Sequence, residues 1–233
     1  MTTPLTVIAP EGPARGGVVV TQEAFGVTDH IVDVCRRFAS AGYHAVAPHL
    51  FHRNGDPVLA YDDMKSAMSL IGELTAEHIG EDVDGAVAAL SAVSIEPRNI
   101  AIVGFCMGGT VAFHTATRLD LGAAASFYGG GIAKARFGYP TQLDAAGLLR
   151  TPWLGLFGDR DKGIPAEEVE ELRTAVAHAP VDTEIVRYPE AEHGFHCDDR
   201  PAVYNEAAAR DGWARTLQWF GTHVDGTRTA GTD

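Results

Sequence analysis

The sequence lacks the features that mark membrane proteins, nucleic-acid-binding proteins and disulfide-rich secreted proteins. No apolar run approaches the roughly 20 residues that a helix needs to cross a bilayer. Lys and Arg number 18 against 31 Asp and Glu, and this net charge of −13 disfavours nucleic acid and membrane surfaces as partners. Only three cysteines occur, an odd number that excludes a disulfide framework.

A targeting signal and an interdomain linker are also missing. The first residues, from Met1 to Pro4, contain neither a basic region nor a long apolar run, so we expect a cytoplasmic protein. No Pro-rich or Ser-rich tract divides the 233 residues. We therefore predict a single domain over residues 1–221 and a disordered tail over residues 222–233. The sequence does not indicate an oligomeric state.

Short apolar runs alternate with amphipathic segments along the chain. The runs predict strands at residues 5–8, 17–21, 44–47, 100–105, 123–128, 153–158 and 183–188. Helices are predicted over residues 28–41, 60–74, 78–92, 107–116, 166–177 and 203–220. This alternation indicates an α/β fold, a mostly parallel central sheet with helices on both faces. Ligands of such sheets bind at the carboxyl ends of the strands, so chemistry is sought in the loops that follow them.

The strand predicted at residues 100–105 leads directly into a Gly-x-Cys-x-Gly-Gly pattern at residues 104–109. The pattern predicts a sharp strand-to-helix turn with Cys106 at its apex, where the commoner Gly-x-Ser-x-Gly elbow has a serine. Glycines flank the apex because strand and helix must pass closely. The sulfur would lie at a helix N-terminus, which favours a thiolate and a developing oxyanion. We interpret Cys106 as a nucleophile, with a buried structural cysteine as the alternative.

The loops after the other strands supply further candidates: Glu23, Tyr128, Asp159, Asp161 and His193. Together with Cys106, these candidates follow the chain order nucleophile, acid, histidine, which is that of α/β-hydrolase triads. A Gly-x-x-Asp pattern before Pro165 favours Asp161 as the acid, with Asp159 as the alternative. His193 precedes a glycine and an aromatic residue, which suits a loop tip, and His196 is the competing histidine.

The same loop also contains a histidine and cysteine arrangement that could suggest a metal site. His193, His196 and Cys197 are candidate ligands, but adjacent residues 196 and 197 ligate one ion poorly. No second pair has the spacing of a zinc finger. We therefore predict no metal, and we interpret His49 and His52 as solvated or hydrogen-bonding loop residues.

Taken together, five segments resemble the dienelactone hydrolase (carboxymethylenebutenolidase) family. These segments are residues 22–26, 104–109, 128–129, 158–161 and 192–195. The resemblance extends from about Leu5 to Phe220, and the glutamate loop with the cysteine elbow is its most specific part. It implies an α/β-hydrolase fold with a Cys-His-Asp triad and without a metal or an organic cofactor.

The resemblance also implies roles for individual residues. Cys106 would be the nucleophile, His193 the general base and acid, and Asp161 the residue that orients His193. The backbone N–H groups of Met107 and Ala24 would form the oxyanion hole.

Further residues would contribute to activation of the thiol and to binding. The family glutamate that contacts the resting thiol and helps it to ionise corresponds to Glu23. Tyr128 matches an aromatic wall of the pocket. We include Phe25, Arg53 and Phe195 as candidate substrate contacts.

One departure from the family concerns the substrate. Enzymes that act on dienelactone carry an arginine four residues after the catalytic histidine, and here that position is Cys197. Arg53 and Arg200 are the cations that could replace it. Asp62 and Asp63 would repel an anionic substrate. We therefore expect hydrolysis of a small-molecule activated ester or lactone through a thioacyl intermediate, with dienelactone itself as one candidate substrate.

Two other functions remain open at this point. A non-catalytic ligand-binding or sensing protein could keep the pocket and capture ligands covalently. A redox role for Cys106 is weaker, because the sequence contains no Cys-x-x-Cys and no evident resolving partner.

Overall fold

A seven-stranded sheet organises the computed structural model, which describes residues 2–224. Its strands are β1 (Leu5–Ile8), β2 (Gly16–Thr21), β3 (Tyr43–Pro48), β4 (Ile100–Phe105), β5 (Ala123–Phe127), β6 (Trp153–Gly158) and β7 (Thr183–Tyr188). The strand order is β1-β3-β2-β4-β5-β6-β7, with β1 antiparallel to β3 and the other pairs parallel. Every residue of β2, β4, β5 and β6 is buried. The continuous apolar runs of the sequence are explained by helices covering both faces.

The helices of the described chain are α1 (Asp29–Ser40), α2 (Met64–Glu73), α3 (Ala76–Ala92), α4 (Met107–Arg118), α5 (Gln142–Ala145), α6 (Ala166–Val176) and α7 (Glu206–His223). Helices α1 and α7 pack together on one face of the sheet, where the Phe38 ring stacks against Phe220. Helices α3 and α4 contact each other on the opposite face. The predicted α/β architecture, with its mostly parallel sheet, is confirmed.

Capping residues explain where the helices differ from the predicted ranges. Helix α2 begins at Met64, four residues later than predicted, because the Asp63 side chain accepts a hydrogen bond from the Ser66 N–H at 3.1 Å. Helix α7 begins three residues later than predicted because Asn205 caps it in the same way. The four-residue helix α5 was not predicted at all.

The C-terminal boundary also differs from the prediction. Helix α7 extends to His223, so the first residues assigned to the tail are helical. The rest of the predicted tail, residues 225–233, lies outside the described residues. In residues 2–224, no helix combines the length and the apolar character needed to cross a membrane.

The start of α4 packs closely against its neighbouring strands. A Cβ atom on Gly104 would lie 1.9 Å from the Gly108 carbonyl oxygen, and one on Gly108 would lie 2.4 Å from the Thr21 carbonyl oxygen. Both neighbours are backbone atoms, which cannot move aside as a flexible side chain can. Glycine is therefore required at both positions, and the carboxyl ends of β2 and β4 are brought together at the head of α4.

We expect Gly104→Ala to lower the free energy of unfolding by more than about 2 kcal/mol, since overpacked backbone must shift. Gly85→Ala is the matched control, because Gly85 lies inside α3 with open space around its Cα. This control should raise stability by about 0.5–1 kcal/mol through helix propensity. Urea denaturation of the two variants tests the expected decrease in unfolding free energy for Gly104→Ala and the expected increase for Gly85→Ala. Equal stability of Gly104→Ala and wild type would contradict the close packing.

Candidate active site

Cys106 occupies the apex of the turn between β4 and α4. Its backbone adopts φ 56° and ψ −118°, an unusual conformation for a residue with a side chain. The residue is the N-cap of α4, and its thiol is partly exposed at the carboxyl edge of the sheet. The turn therefore presents the sulfur outward, at a helix N-terminus, as the sequence predicted.

His193 and Asp161 lie opposite this sulfur and are joined by a short hydrogen bond. The distance from His193 Nδ1 to Asp161 Oδ2 is 2.6 Å. The other oxygen, Oδ1, accepts a hydrogen bond from the Gly163 N–H at 2.8 Å. The Arg160 N–H donates to the Ala191 carbonyl at 3.0 Å, which ties the two loops together. The carboxylate and the imidazole are thus held in a fixed relative orientation.

The electrostatic surroundings favour a proton on His193. Burial alone would lower the pKa of this imidazole. The negative charge available at Cys106 and the hydrogen bonds with Asp161 and Cys106 outweigh burial, and they raise the pKa of His193 well above its usual value. The site therefore accommodates a proton on the imidazole beside the sulfur.

The competing acid and the competing histidine lie elsewhere. Asp159 forms an ion pair with Arg187 at 2.6 Å. His196 is buried among aromatic rings, with its ring centroid 5.0 Å from that of Phe105. Burial, together with His30 and Arg37, lowers the pKa of His196 to about 3. The structure therefore brings Asp161 and His193 to Cys106, and it does not bring Asp159 or His196 there.

Glu23 is a buried carboxylate in the loop that follows β2. Its Oε1 accepts a hydrogen bond from the Tyr128 hydroxyl at 3.1 Å. Its Oε2 is buried and has no hydrogen-bond partner among residues 2–224. The Cys106 sulfur lies close enough to His193 to raise the pKa of that imidazole. The expected contact between Glu23 and the resting thiol is replaced here by the contact with Tyr128.

The environment of Tyr128 keeps its hydroxyl protonated. Burial, followed by the nearby charges of Glu23, Cys197 and Cys106, raises the pKa of Tyr128 well above its usual value. The phenol therefore acts as a hydrogen-bond donor to the carboxylate.

A cavity of about 420 Å³ opens over Cys106. Its lining includes Ala24 and Met107, whose backbone N–H groups were predicted to hold an oxyanion. Met107 is the first residue of α4, so its N–H has no acceptor within the helix. The cavity is also lined by Arg136 and Arg200. Neither guanidinium is paired with a carboxylate among the described residues.

The predicted role of Arg53 as a substrate contact is wrong. Its guanidinium binds the buried carboxylate of Asp82 at 2.8 Å and that of Glu81 at 2.7 Å, away from the cavity. Asp82 is completely buried and also accepts hydrogen bonds from His52 and Thr3, so it needs this counter-charge.

Three other predicted substrate contacts, Phe25, Tyr128 and Phe195, lie behind the cavity surface. All three are buried and are absent from the lining. Phe25 and Tyr61 flank the guanidinium of Arg200, which lies 5.4 Å from the centre of each ring. These aromatic residues thus support the lining residues and do not face a ligand directly.

Several lining residues were not predicted from the sequence. They are Met64, Met68, Ile71, Thr110, Gly130, Arg136, Phe137, Arg160, Lys162, Gly163, Ile164, Glu192 and Val203. The spacing of residues 64, 68 and 71 places them on one face of α2, a pattern that is also typical of a helix packed on a core. Only the position of α2 in the structure shows that this face lines the cavity and does not pack on a core.

The three cysteines are free thiols in very different environments. Cys35 is completely buried in the core, as predicted, and Cys197 is buried beside Tyr61. Burial raises the pKa of each of these two thiols to about 12. No group of three or more His, Cys, Asp or Glu in residues 2–224 is arranged to hold a metal ion.

The parallel sheet, the elbow at Cys106, Asp161 after β6 and His193 after β7 have the arrangement of the α/β-hydrolase fold. A solved α/β hydrolase from a deep-sea metagenome library has the same fold, with a TM-score of 0.68 at 13% identity and coverage of 96% of this chain and 99% of that one.

The comparisons place the chain in a family within this class. The sequence model of the dienelactone hydrolase family matches residues 5–224, so the chain belongs to that family. A candidate carboxymethylenebutenolidase of Salmonella typhimurium is 40% identical over 205 residues, covering 87% of this chain and 76% of that protein. The crystal structure of a candidate dienelactone hydrolase from Klebsiella pneumoniae has a TM-score of 0.87 at 36% identity, with 94% and 92% of the two chains covered.

The buried neutral His196 gives a prediction for the pH dependence of stability. The unfolded chain binds a proton on this imidazole below about pH 6.5, whereas the folded protein does so only near pH 3. Protons therefore favour the unfolded state in this interval, and stability falls as the pH decreases. Between pH 7.5 and 5.0, we expect His196→Phe to lose about 2 kcal/mol less stability than wild type.

Chemical denaturation at both pH values gives the change in unfolding free energy of each protein. Any effect of the substitution on packing is the same at both pH values, so it cancels when these changes are compared. His178→Gln, at an exposed position of the same residue type, is the control and should keep the wild-type pH dependence. The same pH dependence in all three proteins would contradict a neutral buried His196.

Proposed function

We propose that this protein hydrolyses activated carboxylic esters or enol-lactones through a Cys106-His193-Asp161 triad and a thioacyl intermediate. The observation that carries the proposal is the 2.6 Å hydrogen bond between His193 and Asp161 opposite the sulfur at the elbow. Membership of the dienelactone hydrolase family supports the reaction class. A dienelactone is the first candidate substrate.

In the proposed mechanism, His193 holds the proton of the Cys106 thiol, and the thiolate attacks the substrate carbonyl carbon. A free thiol is only a few per cent ionised at neutral pH, so it needs this help. The raised pKa of His193 supports the assignment. Asp161 holds the tautomer that directs the other ring nitrogen to the reacting atoms.

The backbone N–H groups of Met107 and Ala24 stabilise the tetrahedral oxyanion. Loss of one such donor typically costs about 10²–10³ in rate. When the intermediate collapses, the bond between carbon and the leaving oxygen breaks and His193 gives its proton to that oxygen. Water then attacks the thioacyl carbon with His193 as base, and the carboxylic acid and free Cys106 are released.

We assign to Glu23 a role in ionising the thiol, as in the family it resembles. The Oε2 atom of this buried carboxylate has no hydrogen-bond partner among residues 2–224, and this supports the assignment because it leaves one oxygen free to accept a proton. Tyr128 holds the other oxygen in place.

The cellular setting follows from the chemistry of the thiols. A nucleophilic cysteine and two further free cysteines suit a reducing compartment, which supports a cytoplasmic protein. If the substrate carries a carboxylate, Arg136 and Arg200 are the lining cations that could bind it. We assign no metal or organic cofactor to this reaction.

The proposal is tested by steady-state hydrolysis of cis- and trans-dienelactone and of p-nitrophenyl acetate. We expect turnover that disappears in Cys106→Ala and persists in Cys35→Ala, since Cys35 is a core thiol far from the cavity lining. A value of kcat/KM above about 10⁴ M⁻¹s⁻¹ would indicate a natural substrate class. Rapid acid quench and intact mass spectrometry should detect the acyl group on Cys106. An acyl adduct that never turns over would instead indicate a covalent binding protein.

The triad assignment predicts a contrast between two neighbouring aspartates. Asp161→Asn should lower kcat by about 10²–10⁴, because the imidazole loses its orienting acceptor. Asp159→Asn, the matched control, removes only an ion pair with Arg187 and should keep kcat within about threefold. The opposite ranking would assign the acid to Asp159. Circular dichroism should verify that both variants are folded.

A further inference from the structure

The cavity over Cys106 has two chemically different sides. One side is formed by Met64, Met68 and Ile71 of α2 and by Phe137 of the loop after β5, which together we call the apolar wall. The opposite side comes from the loops after β6 and β7 and contains charged side chains: Arg160, Asp161, Lys162, Glu192 and His193. Arg136, next to Phe137, and Arg200 also line the cavity.

The apolar wall is a continuous surface. Residues 64, 68 and 71 follow the i, i+4, i+7 spacing that places side chains along one face of a helix. Ile71 and Phe137 also meet in the lining of an adjacent surface groove, which shows that the loop after β5 reaches α2. Their side chains therefore form one band beside the sulfur.

Two apolar side chains of this wall are exposed and do not belong to the buried core. Met64 is 47% exposed and Met68 is 55% exposed, while Ala67 on the other side of α2 is completely buried. Contiguous exposed apolar surface in a cleft marks a binding site. Methionine is flexible and polarisable, so it adapts to ligands of different shape. Exposed apolar residues outside the cavity, such as Leu148, lack this connection to the sulfur.

The proposed mechanism determines which part of an ester would meet the wall. The leaving oxygen must receive its proton from His193, so the alcohol portion lies on the charged side. In the sheet order, β3 lies on one side of β4, whereas β6 and β7 lie on the other. Helix α2 follows β3. The acyl portion is therefore directed toward α2.

The length of the wall limits the acyl group. Met64 and Ile71 are separated by seven helical residues, or about 10 Å along the axis. An extended chain advances roughly 1.2 Å per bond, so an acyl group of roughly six to eight carbons would span the wall.

We propose that the substrates of this protein are esters of unbranched aliphatic acids of about six to eight carbons, whose acyl chain lies on the apolar wall. This inference rests on the proposed function and assigns its substrate class. The wall residues themselves are apolar, whereas Arg136, next to Phe137, and Arg200 line the same cavity, so the inference concerns the hydrocarbon chain of the acyl group and not a terminal carboxylate.

The test uses p-nitrophenyl acetate, butanoate, hexanoate and octanoate with the full-length protein. We expect kcat/KM to rise about two- to threefold per added methylene up to hexanoate, since the wall removes each group from water only partly.

The double variant Met64→Gln/Met68→Gln tests the wall itself. Glutamine keeps the side-chain length and the helix propensity of methionine but adds a polar amide. We expect the ratio of kcat/KM for hexanoate to that for acetate to fall by about tenfold. Leu148→Gln, an equally exposed apolar residue at 61% exposure outside the cavity, should leave this ratio unchanged.

The outcomes separate the two proposals. Turnover that depends on Cys106 with no preference for longer acyl chains, or hydrolysis of the dienelactones alone, would overturn the inference and leave the proposed function intact. A chain-length preference that the double variant retains would also overturn it. If neither the esters of the series nor the dienelactones are hydrolysed with dependence on Cys106, the proposed function fails and the acyl-chain inference fails with it.

Discussion

The close contact between the start of α4 and the ends of β2 and β4 is the constraint on which the site depends. Gly104 and Gly108 leave no space for side chains, so backbone packs directly on backbone. This contact holds the strained conformation of Cys106, which would otherwise relax. It also brings Ala24, in the loop after β2, to the same cavity as Met107. A single packing feature thus positions the sulfur and both candidate oxyanion donors.

The second half of the site is positioned by hydrogen bonds between loops. Asp161 is bonded on both oxygens, once by the Gly163 N–H and once by His193. The loops that carry these residues are joined by the bond from the Arg160 N–H to the Ala191 carbonyl. These bonds fix the acid and the imidazole before any ligand arrives, and preorganisation of this kind lowers the cost of charge rearrangement during reaction.

Much of the fold and part of the site could be predicted from the sequence, because strand ends are local features. The elbow at Cys106 and the loop of His193 have short patterns of their own, which pointed to the residues that the structure brings together. Arg53 could not be assigned in this way. Its partner Asp82 lies 29 residues further along the chain, and no local pattern reveals that this carboxylate is buried and requires a cation.

The apolar wall was missed for a different reason. The spacing of Met64, Met68 and Ile71 is the same for a helix that faces a core and for one that faces a cavity. The distinction depends on where α2 lies relative to β4, which is a property of the whole sheet. Phe25 and Phe195 support the lining because their side chains are buried beneath the cavity surface. A sequence pattern does not show whether an aromatic side chain lies in such a surface or beneath it.

The difference in exposure among the three thiols offers a way to measure what fraction of a preparation is folded. Cys35 and Cys197 are buried, and their thiols stay protonated at neutral pH because burial raises the pKa of each to about 12. Cys106 is partly exposed at a helix N-terminus beside His193. We therefore expect a thiol-directed label at neutral pH to modify one sulfur in each native chain and all three in each unfolded chain. The mass distribution of labelled chains gives the native fraction of a preparation directly, without a substrate.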